Sequence, residues 1–199
     1  MENNRIQLPE ADVLQKELNR VKNRRAFLKM LYSTVASLIV VAAAAVLISM
    51  LFLPVLRVTG TSMMPTLQND DLVVCRKRGD FRQGDVIAFY YNNKILLKRV
   101  IAVSGDYVDI DADGTVFVKK QGENDYHKLD EPYVSQKAFG ECDIELPYQV
   151  PDQRVFVMGD NRETSIDSRS TTVGCVSEES VVGKVSMRIW PIKDFSFIG

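Results

Sequence analysis

Residues 30–56 form an uninterrupted run of 27 residues without a charged side chain, and this run constrains the rest of the chain most. As an α-helix it would be roughly 40 Å long at about 1.5 Å per residue, longer than the ~30 Å hydrocarbon core of a bilayer. Tilting, or an end of the helix before Pro54, would absorb the excess. The apolar region of a cleaved signal peptide is shorter, about 7–15 residues. We therefore predict a transmembrane helix at residues 30–56 rather than a signal peptide or a buried core helix.

The charges on either side of this run predict its orientation in a membrane. The basic residues that precede it are Lys16, Arg20, Lys22, Arg24, Arg25 and Lys29. Only Arg57 follows it closely, and the next charged residues are Asp70 and Asp71. Because positive charge is retained on the cytoplasmic side, residues 1–29 are predicted to be cytoplasmic and residues 57–199 extracytoplasmic. The net charge of −1 gives no indication of a nucleic-acid partner.

Residues 57–199 have the pattern of an antiparallel β structure. Short runs rich in Val, Ile, Phe and Tyr alternate with polar turns, of which Asn92–Asn93 and Asp113–Gly114 are typical of hairpins. The predicted strands lie in residues 71–77, 84–91, 94–103, 107–111, 115–120, 154–159 and 181–190. We predict an antiparallel sheet or partly closed barrel. A polar stretch with several prolines indicates a smaller inserted subdomain at about 107–152.

The scarcity of histidine and cysteine limits the possible chemistry. His127 is the sole histidine and lies in a polar stretch, so a multi-histidine metal site is excluded and no metal or cofactor is predicted. The three cysteines, Cys75, Cys142 and Cys175, cannot form a complete disulfide framework. Buried free thiols are the favoured interpretation, and a disulfide between Cys142 and Cys175 is the alternative.

Three segments carry candidate reactive side chains. Ser62 lies in GTSMMPT between a glycine and a proline, where a tight turn could present its hydroxyl group. Lys98 lies within an apolar strand, where loss of hydration would lower its pKa toward that of a general base. Residues 158–170, MGDNRETSIDSRS, form a polar loop after a strand. Taken alone, the first two segments are more typical of an ordinary turn and a solvent-facing lysine, whereas the third is as typical of a solvated surface loop as of a functional one.

Together these segments resemble the conserved boxes of the bacterial type I signal peptidases, in the same order behind one membrane helix. The matching stretches are GTSMMPT (60–66), GDVIAF (84–89), KRVIAVSGD (98–106), GDNRETSIDSR (159–169) and GKV (183–185). The resemblance implies a β-sheet or partly closed barrel catalytic domain of signal-peptidase type. The short stretch between the third and fourth boxes is similar to the Gram-positive form of the family.

The resemblance also implies a catalytic pair. Ser62 matches the family's nucleophile and Lys98 its general base, which would act without metal or cofactor through an acyl-enzyme intermediate. Ser165 matches a serine that donates a hydrogen bond to the lysine amine and orients it. The residues that match the substrate pocket are Met63, Val58, Leu96 and Leu97. The implied partners are secretory preproteins, cut after small residues of the Ala-x-Ala type, and the lipid bilayer.

The remaining matches are charged residues that would support this pair. Asp160 matches an aspartate that pairs with the arginine beside the lysine, here Arg99. Asp167 and Arg169 match a second supporting pair. In some members a serine two positions before the nucleophile donates to the oxyanion, but Gly60 occupies that position here. The second oxyanion donor therefore stays open.

Two other interpretations are compatible with parts of the sequence. Self-cleaving repressor-like proteases share a Ser–Lys pair but lack a membrane anchor. A membrane-anchored β-domain without activity would have no need of Ser62 and Lys98 together. The C-terminal WPIKDFSFIG contains Trp190, Phe195 and Phe197, for which ordinary packing is favoured over contact with the membrane interface.

Overall fold

The structure is a computed structural model that describes residues 11–77 and 80–198. The chain divides into two compact units, Met1–Ser49 and Met50–Gly199. The first unit is helical in its described part, and the second consists mainly of β-strands.

A single long helix, α1 (Ala11–Phe52), contains most of the predicted membrane segment. It begins well before residue 30, because the preceding segment is rich in good helix formers such as Leu, Lys, Arg and Gln. It ends at Phe52 rather than 56, because Pro54 disfavours helical geometry in the residue before it and lacks an N–H donor. The helix is long and apolar enough to cross a membrane.

The second unit contains an eight-stranded antiparallel sheet. Its strands are β1 (Val55–Arg57), β2 (Leu72–Arg76), β3 (Val86–Tyr91), β4 (Lys94–Ala102), β9 (Arg154–Met158), β10 (Val176–Ser177), β11 (Val181–Trp190) and β12 (Ser196–Phe197). They lie in the order β1-β2-β11-β3-β4-β9-β10, with β12 paired to β11. The end strands β1 and β10 do not pair with each other, so the described strands form an open sheet. The prediction of an antiparallel sheet that is at most partly closed is confirmed.

Both faces of this sheet are covered, which explains the nearly continuous apolar sequence of β3. Val86 and Ala88 pack into one buried cluster, whereas Ile87 and Phe89 pack into another. Successive side chains on a strand point to opposite faces, so every position in such a strand is apolar. The β3–β4 hairpin turns at Asn92 and Asn93, whose φ angles of 43° and 63° suit a tight two-residue turn.

A smaller sheet lies between β4 and β9 in the sequence. Its order is β7-β6-β5-β8, with strands β5 (Tyr107–Ile110), β6 (Val116–Lys119), β7 (His127–Lys128) and β8 (Tyr148–Gln149). Val108 and Val116 of this sheet share a buried cluster with Phe156 and Met158 of the large sheet. This shared core fixes the two sheets relative to each other, and therefore fixes the loop that follows β9.

The packing prediction for the C-terminal aromatic side chains is wrong. Trp190 and Phe195 are each 53% exposed and Phe197 is 76% exposed. Successive side chains at β12 point to opposite sides of the sheet. Phe197 therefore points outward, while Ile198, directly after the strand, is buried in the core. Phe195 and Phe197 contact each other edge to face, with ring centroids 5.7 Å apart.

The cysteines are free thiols, so the alternative of a Cys142–Cys175 disulfide is not realised. Cys75 and Cys175 are buried, and burial raises the pKa of each thiol to about 11. Thiols with such a raised pKa stay protonated at neutral pH and are therefore poor nucleophiles.

Candidate active site

Ser62 lies in the connection between β1 and β2, in a tight turn. The Met64 N–H donates to the Thr61 carbonyl at 3.1 Å. The Gly60 N–H donates to Asn69 Oδ1 at 3.0 Å, and Gly60 adopts a φ of +91°. That φ favours glycine, which gives a structural reason for glycine rather than serine two positions before Ser62.

Lys98 of β4 contacts this serine directly. Its Nζ lies 2.7 Å from Ser62 Oγ, a normal hydrogen-bond distance. The lysine is only 3% exposed. Burial lowers the pKa of the Lys98 amine from 10.5 to about 8, against an opposing effect of the Asp167 carboxylate. A substantial fraction of this amine is therefore neutral near physiological pH, as proton abstraction requires.

Arg99, the next residue on β4, points to a different set of partners. Its Nε and Nη2 donate to Asp160 Oδ1 and Oδ2 at 2.9 and 2.7 Å, which is the two-pronged geometry of strong arginine–carboxylate pairs. Its Nη1 donates to the Gly84 carbonyl at 2.7 Å. Asp160 additionally accepts a hydrogen bond from the Thr66 hydroxyl. The negative charge of Asp160 is thus largely compensated by Arg99, which limits its effect on the pKa of Lys98.

Most side chains of the loop after β9 are buried, so the interpretation of this loop as a solvated surface loop is wrong. Arg169 donates from Nε and Nη2 to the two carboxylate oxygens of Asp167 at 2.8 and 2.9 Å, and both side chains are fully buried. Asp167 also accepts the Gly159 N–H at 2.9 Å. Arg169 donates to the Phe139 carbonyl at 2.7 Å, which joins the loop to the segment that precedes β8.

Gly159 allows this loop to approach the serine closely. A Cβ atom at this position would lie 2.5 Å from the Ser62 carbonyl oxygen and would also collide with Ser165. The Asn161 N–H donates to that same Ser62 carbonyl at 3.0 Å. The backbone of Ser62 is therefore fastened to the loop, which positions its side chain opposite Lys98.

The expected hydrogen bond between Ser165 and the Lys98 amine is absent from the described part of the chain. The Ser165 hydroxyl is buried without a hydrogen-bond partner among the described residues. The backbone holds this residue in place, since its N–H donates to the Asn161 carbonyl at 3.1 Å and its carbonyl accepts from Arg169 at 3.3 Å. The Lys98 amine is engaged with Ser62 instead.

A cavity of about 470 Å³ opens beside Ser62. The predicted pocket residues Val58, Met63, Leu96 and Leu97 all line it, together with Leu56. Met63 is also part of the adjoining buried cluster. The cavity therefore offers a partly apolar surface next to the serine hydroxyl, and Arg57 and Lys94 also line it.

Tyr133 and Glu131 lie beside the site but were not predicted from the sequence. The Tyr133 ring covers the Arg99 guanidinium, with Cζ 3.9 Å from the ring centroid. Glu131 forms a buried ion pair with Arg162. These contacts join positions about 30 residues or more apart. No local pattern in a single sequence indicates such pairings.

A buried lysine hydrogen-bonded to a serine hydroxyl beside a cavity is an arrangement in which a neutral amine could activate the hydroxyl group. The family model described as signal peptidase, peptidase S26, matches residues 31–190. The chain belongs to this family and is accordingly a serine peptidase. Membership of the family decides against both the repressor-like protease and the inactive β-domain.

Two relatives with similar sequences give the same result. The chain is 37% identical over 156 residues to signal peptidase I of Bacillus caldolyticus, an alignment that covers 70% of this chain and 81% of the relative. It is 34% identical over 160 residues to signal peptidase IB of Staphylococcus aureus strain MRSA252, and this alignment covers 70% of this chain and 79% of the relative. A crystal structure of a signal peptidase I from Enterococcus faecalis V583 superposes on this structure with a TM-score of 0.45 and 26% sequence identity. The superposition covers 54% of this chain and 98% of the crystallised chain.

The stacking of Tyr133 on Arg99 generates a prediction. Tyr133→Ala should lower the free energy of unfolding by about 1–2 kcal/mol, because it removes a half-buried ring and its cation–π contact and admits water to the Arg99–Asp160 pair. Tyr133→Phe keeps the ring and loses only a 3.3 Å hydrogen bond to Glu131. Denaturant unfolding of the two variants in detergent measures the difference, and equal destabilisation by Ala and Phe would contradict a role of the ring.

Proposed function

We propose that this peptidase removes N-terminal signal peptides from exported preproteins, with Ser62 as nucleophile and Lys98 as general base. The observation that carries the proposal is the 2.7 Å hydrogen bond between Lys98 Nζ and Ser62 Oγ. It is the contact through which a neutral amine would take the proton of the attacking hydroxyl.

The reaction would proceed through an acyl-enzyme. Neutral Lys98 accepts the Ser62 proton while Oγ forms a bond to the scissile carbonyl carbon, and the carbonyl electrons move to the oxygen. The Ser62 N–H, which has no hydrogen-bond partner among the described residues, is available to stabilise this oxyanion. Collapse of the intermediate expels the amine of the mature protein, which takes the proton from Lys98. A water molecule activated by the same amine then hydrolyses the ester.

The supporting residues would act on Lys98 through charge and position. Asp160 and Asp167 each raise the pKa of the Lys98 amine, and Arg169 lowers it. Pairing Asp160 with Arg99, and Asp167 with Arg169, limits the influence of the two carboxylates. Burial is then the largest influence and lowers the pKa of the Lys98 amine to about 8. Ser165 would complete the site if its free hydroxyl turned toward the amine during the reaction.

The substrate would lie in the cavity next to Ser62. Its lining of Val58, Met63, Leu96 and Leu97 suits small apolar side chains before the cut, as in Ala-x-Ala. A hydrophobic site of this kind discriminates by about 1–3 kcal/mol for each methylene group.

The apolar helix α1 supports a location at the cell membrane. The basic residues before its apolar part support a cytoplasmic location for residues 1–29 and an extracytoplasmic one for the catalytic domain, residues 57–199. Ser62 follows the end of α1 at Phe52 by ten residues, so the active site would stay near the membrane face where preproteins emerge. The exposed Trp190, Phe195 and Phe197 are side chains typical of a membrane interface. The smaller sheet would be an insertion, at about 107–152, that supports the site.

Removal of either reactive side chain should abolish preprotein cleavage. Ser62→Ala lacks the nucleophile and Lys98→Ala lacks the base, and each should lower the rate at least about 10³-fold while the fold is retained. Ser177→Ala and Lys120→Ala make the same changes outside the site and should cleave normally. The measurement is cleavage of a purified preprotein by the full chain in liposomes. Substantial cleavage by Ser62→Ala or Lys98→Ala would contradict the assignment.

The rate should also depend on pH through the Lys98 amine. Because the neutral form is the active one and burial lowers its pKa to about 8, kcat/KM should rise with pH and level off above about 8. Below that value it should fall about tenfold for each pH unit. Steady-state cleavage between pH 5 and about 9.5 tests this, with circular dichroism to verify that the fold persists. A rate independent of pH across this range would rule out a lysine base.

A further inference from the structure

A second cavity, of about 290 Å³, lies next to the turn that carries Ser62. Ser62 and Met63 line the first cavity, whereas the next two residues, Met64 and Pro65, line the second. The two cavities share no lining residue. The remaining wall of the second cavity consists of Ser135, Gln136, Asp160, Asn161 and Glu163.

The wall of this cavity is attached to the nucleophile segment. The Asn161 N–H donates to the Ser62 carbonyl at 3.0 Å, and Asn161 Nδ2 lies 3.4 Å from the Thr61 carbonyl oxygen. The segment that carries Ser135 and Gln136 is held by the Glu131–Arg162 ion pair and by the stacking of Tyr133 on Arg99. The cavity is therefore preformed and fixed relative to Ser62, as binding sites usually are.

The charge of this cavity comes from one exposed carboxylate. Asp160 and Glu163 are its charged lining residues. Asp160 is buried and paired with Arg99. Glu163 is exposed, and no lysine or arginine of residues 11–77 or 80–198 lies within ion-pair distance of it. Its negative charge is available to a ligand, and the neighbouring Asn161, Ser135 and Gln136 can supply neutral hydrogen bonds.

An endopeptidase holds its substrate on both sides of the bond that it cuts. The first cavity opens beside Ser62 and includes the apolar residues proposed to hold the substrate before the cut, and the second cavity adjoins the same turn at Met64 and Pro65. We propose that the second cavity binds the first residues of the mature protein, and that Glu163 favours a lysine or arginine among them. This inference rests on the proposed function, because it assigns the leaving-group side of the same site.

The test uses matched preproteins with one signal peptide and with Lys, Gln or Glu at one of the first three positions after the cut. With the wild-type chain in liposomes at low salt, kcat/KM should be about two- to fivefold higher for Lys than for Glu at one of these positions. The ratio should shrink as salt screens the charge of Glu163. Glu163→Gln should bring the ratio close to one, and Glu163→Lys should invert it.

The control variant is Glu178→Gln, which removes the same charge from an exposed residue outside the cavity and should leave the ratio unchanged. Equal wild-type rates for Lys and Glu at all three positions would overturn the inference, and this comparison does not depend on any variant folding. An unchanged ratio in Glu163→Gln would overturn it as well. Failure of the wild-type chain to cut any of these preproteins would instead overturn the proposed function, and the inference with it.

Discussion

The site depends on the removal of one lysine amine from water. Lys98 is 3% exposed, and its Nζ faces the Ser62 hydroxyl. The difference between its ordinary pKa of 10.5 and the value of about 8 corresponds to about 3 kcal/mol of destabilisation at neutral pH. Because the unfolded chain binds the proton more tightly, the free energy of unfolding contributed by this group rises with pH between about 8 and 10.5. The rest of the domain stabilises a residue that by itself opposes folding.

Three features of the fold hold this lysine in place. The large sheet is covered on both faces, which excludes water around β4. The buried pairs Arg99–Asp160 and Arg169–Asp167 compensate the nearest carboxylates, so that burial determines the pKa of the amine. The absence of a side chain at Gly159 lets the loop after β9 approach Ser62. The smaller sheet supports that loop, since its connecting segment supplies the Phe139 carbonyl to Arg169.

The sequence predicted the regular elements, and the family resemblance predicted the long-range pairs Ser62–Lys98 and Arg99–Asp160, but other long-range contacts were missed. Apolar strands such as β3 and the Asn92–Asn93 hairpin carry local signals, and the seven predicted runs each contain a strand. The five short strands β1, β7, β8, β10 and β12 have two or three residues each, too few for a periodic pattern. Ser62 and Lys98 were weak candidates until the order of the motifs linked them. The stacking of Tyr133 and the exposure of Phe197 depend on tertiary packing, which single-sequence patterns do not encode.

The most direct test of this account is the pKa of the Lys98 amine in the intact chain. It can be measured by NMR titration of lysines labelled with ¹³C at Cε in detergent micelles, with the Lys98 signal assigned by its loss in Lys98→Met. We expect a titration midpoint near 8, well below that of the exposed lysines, because burial disfavours the ammonium form. A midpoint at the ordinary value of about 10.4 would contradict the account, because the amine would then be protonated under the conditions in which it is proposed to act as a base.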